Sequence, residues 1–359
     1  MSTNRNRDHL IALSLLPFLN PNRIRLLLES FDPLASACNA PSNLLQGLLR
    51  LNPEQAALVK HSLTDLRVRE RVAALRESTV VLGDEAYPTM LAHIYDPPTV
   101  LHFRGDVSLL KRPMISIVGS RRCSAYGRNA ARTLADSLAK RGVAVVSGLA
   151  RGIDAAAHQA ALEAGGATIA VLGCGIDIVY PRGHEALFAR MAADGLILTE
   201  LGPGAPPLKA HFPIRNRIIS GLAYGTVIVE ATERSGSLIT ARSAAEQGRD
   251  VFAVPHPIFA AGGVGPHRLV QYGAKLVHDA EDIVEELPRE IRAQLSPVTP
   301  EEAPPSGLLD AFSREEPTPL EEVAARLQKK PESLAQEVLQ LELDGWLESL
   351  PGARYVRVR

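Results

Sequence analysis

Between Thr79 and about Val277, nine short runs rich in β-branched residues alternate with alanine-rich amphipathic stretches, and this alternation restricts the fold more than any other feature. The strand-like runs are Thr79–Leu82, Val100–Phe103, Ile115–Val118, Val143–Val146, Thr168–Val171, Gly195–Leu198, Thr226–Val229, Asp250–Val254 and Lys275–Val277. Helical periodicity fills gaps at Tyr126–Lys140, Asp154–Ala164 and Leu238–Gln247. Parallel strands need long crossovers, and these take one hand. The expectation is an α/β fold with a Rossmann-like, doubly wound parallel sheet that holds ligands at the carboxyl ends of its strands.

The flanks follow other patterns. Residues 1 to 75 show helical spacing without strands (Leu13, Leu16; Ile24, Leu27, Leu28, Phe31; Leu44, Leu45, Leu48, Leu49), broken at Asn20-Pro21, Asp32-Pro33 and Asn52-Pro53. Nine basic against six acidic residues make this a mildly basic helical bundle. The core is expected over 76–287. Prolines 288, 297, 300, 304 and 305 mark a linker over 288–305. Residues 306–359 read as three short helices (Gly307–Phe312, Pro319–Leu327, Glu332–Leu343) and a hairpin about Pro351-Gly352, a winged helix.

Charge narrows the choice of partners. Over the whole chain 39 Lys+Arg balance 40 Asp+Glu, which excludes a uniformly basic nucleic-acid coat but not a local patch. The third helix of the last segment, Glu332 to Glu342, carries three acids and no base, so duplex phosphates would repel it. That segment is expected to contact protein or to position the core, with Trp346 in its own core. Cys38, Cys123 and Cys174 fit neither a disulfide framework nor a metal spacing, which suits a reducing cytoplasm. Asp8 interrupts the only leader-like start, and no apolar run approaches a membrane span.

The informative residues fall where a doubly wound sheet would place a site. Gly119-Ser120-Arg121-Arg122 follows one strand, Ser147-Gly148-Leu149-Ala150-Arg151-Gly152 the next, and Ser235-Gly236-Ser237 with Thr240 opens a later helix. Small residues admit a ligand to the backbone, helix starts offer N–H groups, and the arginine fork suits phosphate. One such turn is more often a plain cap; three on one edge, two carrying arginines, favour an anion site. Lys209, Phe212, Arg215, Asn216 and Arg217 add charge around an aromatic face, the pairing used on single-stranded nucleic acid. With eight Phe, seven Tyr and one Trp in the whole chain, an extended stacking platform is not expected. Walker and GxGxxG patterns are absent, the histidines have no metal spacing, and no cofactor is called for. Asp154, Asp177, Glu200 and Glu230 follow strands and read as caps or ion-pair partners.

Ile117-Val118-Gly119-Ser120-Arg121, Ser147 to Asp154, Phe212 to Ile219 and Ser235 to Ala241 resemble, in order and spacing, the DNA-processing protein A (DprA/Smf) family. Tyr87-Pro88, Asp96-Pro97-Pro98, Gly173 to Asp177 and Tyr180-Pro181 fit it as well. The likeness covers about 80–280, and the ends match by pattern only: a sterile-alpha-motif-like bundle and a winged helix. It implies a non-enzymatic cytoplasmic factor, usually a homodimer, that binds single-stranded DNA and loads the RecA recombinase onto it in natural transformation. By carry-over, Gly119, Ser120, Arg121, Ser147, Gly148, Arg151, Gly152 and Ser235 to Ser237 would form a phosphate pocket. Lys209 and Phe212 would supply charge and stacking ring, and Arg215 to Arg217 would line its edge.

Two segments depart from the family pattern: Pro255-His256-Pro257 replaces a Pro-Gly, and His267-Arg268 stands where an asparagine is usual. The rival reading is an enzyme, since the core also resembles phosphoribohydrolases of the cytokinin-activating type. Their PGGxGTxxE motif is not matched, for Ala241, Arg242 and Ser243 follow the turn and the first glutamate is Glu246. A scaffolding adaptor working through its end domains is the third reading.

Overall fold

The computed structural model describes residues 3–297 and 307–358. Prolines 300, 304 and 305 of the expected linker lie outside them.

Five helices form the N-terminal bundle: α1 (Thr3–Ser14), α2 (Pro21–Ser30), α3 (Ser42–Leu49), α4 (Pro53–Thr64) and α5 (Leu66–Leu75). Two of the proline breaks are helix starts. Asn20 caps α2 and Asn52 caps α4, each with proline at the first helical position, where no N–H is needed. The bundle closes on its own apolar core, which also takes in Val81 and Val100 of the sheet. Arg7 pairs with Asp84 and donates to the Thr79 carbonyl (2.9 Å), tying the bundle to the first strand.

The core sheet has strands β1 (Thr79–Val81), β2 (Val100–Gly105), β3 (Met114–Val118), β4 (Ala144–Ser147), β5 (Thr168–Val171), β6 (Leu196–Thr199), β7 (Gly225–Ile228), β8 (Asp250–Ala253) and β9 (Lys275–Leu276). Their spatial order is β1-β2-β6-β5-β4-β3-β7-β8-β9. From β6 through β9 every pairing is parallel, whereas β1 with β2 and β2 with β6 are antiparallel. The expected parallel sheet therefore carries an antiparallel margin. The only α-helix between β1 and β2 is α6 (Thr89–Ala92), too short to span a sheet face.

The helices of the core are α7 (Ala125–Lys140), α8 (Ile153–Glu163), α9 (Glu185–Asp194), α10 (His211–Leu222), α11 (Ser237–Glu246), α12 (Val264–Gln271) and α13 (Ala280–Val284). Ile115, Ile117, Val145 and Val227 face α7, α8 and α13, while Val118, Val146, Ile169 and Ile228 face α10 and α11. Burial on both faces is why these strands read as unbroken apolar runs. Chain order reverses between neighbouring β3 and β7, so their carboxyl ends form the crevice in which doubly wound sheets bind ligands.

The core runs past 287. A short helix α14 (Arg289–Arg292) follows, Ile291 and Leu295 pack on it, and the Ser296 N–H donates to the Arg141 carbonyl (3.0 Å). The last segment contains α15 (Leu320–Arg326), α16 (Pro331–Leu343) and a three-stranded sheet: β10 (Thr318–Pro319), β11 (Leu347–Leu350) and β12 (Arg354–Arg357), in the order β10-β12-β11. The expected hairpin is β11–β12, and the two-residue β10 adds a third strand too short to show periodicity.

Candidate nucleic-acid interface

Three loops and the start of α10 meet at the β3/β7 switch. The Ser120 N–H donates to the Glu230 carbonyl (2.7 Å) and the Ile153 N–H to the Ser120 carbonyl (3.2 Å), clamping the first loop between the other two. Gly152 has φ +79°, and a Cβ there would lie 2.9 Å from the Arg121 carbonyl carbon, so loop and helix start can touch only at glycine. Glu230 accepts from the Ser124 N–H (3.0 Å) and hydroxyl (2.6 Å), and the same hydroxyl caps α7 by accepting from Gly127 (3.0 Å). This carboxylate positions the loop that projects Arg121 and Arg122, both exposed.

Phe212, half-buried in the first turn of α10, marks the rim. Its ring rests on Gly173, where a Cβ would lie 2.8 Å from the ring, and against Tyr180, with centroids 5.3 Å apart. The Arg121 guanidinium stands 5.6 Å from the ring centroid. Lys209 is exposed just before the helix, and Arg151, exposed, donates to the Arg182 carbonyl (3.1 Å). Ser235 and Ser237 hydroxyls bond one another (2.8 Å) beside exposed Gly236, to whose carbonyl Asn216 donates (3.3 Å).

Several expected contacts turn inward. Arg215 is 5% exposed and forms the wall rather than the edge: it donates to the carbonyls of Gly148 (2.9 Å) and Val171. Burial pushes its pKa down to about 10, opposed by Asp154, so it stays charged at neutral pH. Asp154 in turn accepts from the N–H groups of Gly148 (3.1 Å) and Ala150 (3.3 Å). The turn after β4 thus already holds an anion, a carboxylate that burial pushes upward in pKa and that Arg215 and these amides pull back. Ser147 donates to the Ile117 carbonyl (2.6 Å), and Asn216 and Thr240 are buried. Arg217 pairs with Glu200 (2.6 Å) and Asp96 (3.4 Å). Each change has one cause: these side chains sit on helix or strand faces that pack on the sheet.

The remaining acids have structural partners too. Asp177 accepts from the Gly204 N–H (2.8 Å), and Cys174 is a buried thiol raised to about 11 by burial, hence not a thiolate nucleophile. His256 packs edge-on against Tyr126, whose hydroxyl donates to the Pro255 carbonyl (2.7 Å), and the His267 ring meets the His256 carbonyl (2.9 Å). The two unusual histidines are therefore coupled to each other and to α7. Among the described residues no group of three or more His, Cys, Asp or Glu could hold a metal, and no helix is long and apolar enough to cross a membrane.

A doubly wound sheet with an exposed, cationic, aromatic-bearing rim at its switch point, joined to a winged helix, defines the class. The family model described as DNA recombination-mediator protein A matches residues 78–288, and one described as DprA winged helix domain matches 292–353. The chain belongs to the DNA recombination-mediator protein A family. It is 49% identical over 203 residues to "DNA processing protein DprA" of Streptococcus pneumoniae, covering 56% of this chain and 72% of that one. With "Protein Smf" of Escherichia coli it shares 43% over 284 residues, 77% and 76% of the two chains. The crystal structure of the pneumococcal protein superposes with TM-score 0.69 at 38% identity, over 79% of this chain and 98% of that one. A Helicobacter pylori DprA structure, titled for its single-stranded DNA binding mode, gives 0.52 at 31%, over 58% and 94%.

Proposed function

We propose that this protein binds single-stranded DNA without strong sequence preference along the rim formed by Arg121, Arg122, Arg151, Lys209, Phe212, Ser235 and Gly236. The carrying observation is the Arg121–Phe212 pair, an exposed guanidinium beside a half-exposed ring, which offers one phosphate and one base their complementary surfaces. Gly119, Ser120, Ser147, Gly148, Gly152, Arg215, Asn216, Arg217, Ser237 and Thr240 act behind it, fixing the loops. The family likeness supports the finer reading, that the bound strand is handed to RecA in the cytoplasm during natural transformation. It also supports a homodimer.

An anisotropy titration of single-stranded against duplex oligonucleotide tests this at several salt concentrations. If about four phosphates are neutralised, log K falls against log salt with a slope of roughly −3. A duplex preference, or an affinity indifferent to salt, would overturn it.

A further inference from the structure

The rim does not end at Arg121. Beside it opens a cleft of about 630 Å³ between the core and the winged helix, with Arg121, Arg122, Arg128 and Arg132 on one wall and Glu342 and Glu348 on the other. Arg128 and Arg132 lie one turn apart on α7 and so share a face. Arg128 pairs with Glu348 of β11 (3.0 Å), with both side chains more than a third exposed. Arg132 pairs with Glu163 of the neighbouring helix (2.7 Å), and the Glu342 carboxylate receives the Ser349 hydroxyl. Asn129, between the two arginines, donates to the main-chain carbonyls of Arg314 (3.1 Å) and Arg357 (3.1 Å). The winged helix is thus held on the basic face by polar contacts around an open, charged cleft.

We infer that this cleft is a second phosphate lane, continuing the rim along α7, and that Glu348 occupies it as a stand-in for the DNA backbone, so that the winged helix gates it. The inference rests on the single-stranded DNA reading of the rim. Four guanidinium forks against the two facing carboxylates and Glu163, the partner of Arg132, leave the lane cationic by one charge, which suits a polyanion. Its latch is weak, because a half-exposed ion pair in high dielectric contributes little. A strand already anchored at Arg121 presents its next phosphates at high effective concentration and can displace one carboxylate. The acidity that keeps this winged helix off duplex phosphate is what lets it close over an arginine lane.

The test uses the full chain and labelled oligothymidine. Glu348→Gln is expected to tighten binding at least threefold at low salt and to steepen the slope by about 0.7, one further phosphate contact on a single strand. On an Arg128→Ala background the same change should give less than 1.5-fold. Glu332→Gln, an equal change of charge at an exposed position outside the cleft, should also give less than 1.5-fold. No tightening with Glu348→Gln, an equal gain without Arg128, or an equal gain from Glu332→Gln would each overturn the lane. Lys209→Ala, on the rim and outside the cleft, separates the two readings: if it weakens binding while Glu348→Gln has no effect, only the lane falls. If it has no effect while the Glu348→Gln gain persists, the rim reading falls.

Discussion

Arg121 and Arg215 stand 5.6 and 5.9 Å from the centroid of the same phenyl ring and are used in opposite ways. Arg121 projects from a loop past the end of β3, is exposed, and forms no ion pair among the described residues. Arg215 leaves the inner face of α10 and runs under the ring to two main-chain carbonyls, with Asp154 close by. An arginine beside an aromatic therefore points to a ligand contact only where, as at Arg121, the guanidinium is exposed. The element that carries it decides, since a loop beyond the sheet meets solvent and a helix face meets the sheet.

The largest expected effect tests this directly. Arg215→Met would leave the Asp154 carboxylate buried without its cation and is expected to cost about 3–5 kcal/mol of folding stability. Arg121→Met should stay within about 0.5 kcal/mol. Urea unfolding midpoints read both, and similar losses would break the distinction between wall and rim.

The histidines sharpen the same contrast through pH. Burial pushes His158 down to about 3 and His102 to about 4, against an ordinary value of 6.5. Their folded-state values lie below the unfolded ones, so the unfolded chain binds the extra protons. Their contribution to stability is full above pH 6.5 and drains as pH falls toward 4 for His102 and toward 3 for His158, by about 1.4 kcal/mol per unit for each ring. Unfolding midpoints should drop between pH 6.5 and 4.5. DNA affinity of the folded protein should hold from pH 7 to 6, because neither ring belongs to the rim. A midpoint flat across that range would remove both rings from the buried wall.

Legibility in the sequence follows the same division. The inner core strands β3 to β7 were readable because each is buried along its whole length and so appears as an apolar run. The antiparallel direction of β1 and β2 was not, since orientation depends on the connection and not on the strand. The loops of the site could be placed from Gly, Ser and Arg at strand ends, but the inward turn of Arg215 and of the Gly148 amide could not. Asp154 was readable as a cap or ion-pair partner; that it fills the anion turn appears only in three dimensions. Arg128 and Arg132 leave a signal in their i, i+4 spacing after Arg121-Arg122, but a crossover helix alone explains that stretch, and their common face on the winged helix appears only in three dimensions.

At the rim itself smaller effects are expected, and they differ in kind. Phe212→Ala should weaken single-stranded DNA binding by about 1–3 kcal/mol and leave the salt slope unchanged, because stacking releases no counterion. Arg121→Ala should flatten the slope by about 0.7, with circular dichroism confirming that both variants remain folded. Equal slope changes would remove Phe212 from the role of stacking ring.

The smallest expected effect concerns the enzyme reading. Catalysis on a nucleotide held at the Ser235–Ser237 turn would need a carboxylate within hydrogen-bond reach of it. The one that follows it in sequence, Glu246, ends α11, whose ten residues rise about 1.5 Å each, so its backbone lies roughly 14 Å from the turn and its side chain is exposed. Nearer carboxylates have other partners: Asp154 holds two amides, Glu230 holds Ser124, and Glu200 is pushed up in pKa by burial and held by Arg217. Glu246→Ala should therefore change DNA affinity by less than about 0.5 kcal/mol, within the range of ordinary surface substitutions. Incubation of the wild type with nucleoside monophosphates should release no base above background in a chromatographic assay. Turnover that depends on Glu246 would place chemistry at the opposite end of α11 from the rim and would break the division drawn here between a binding edge and a supporting wall.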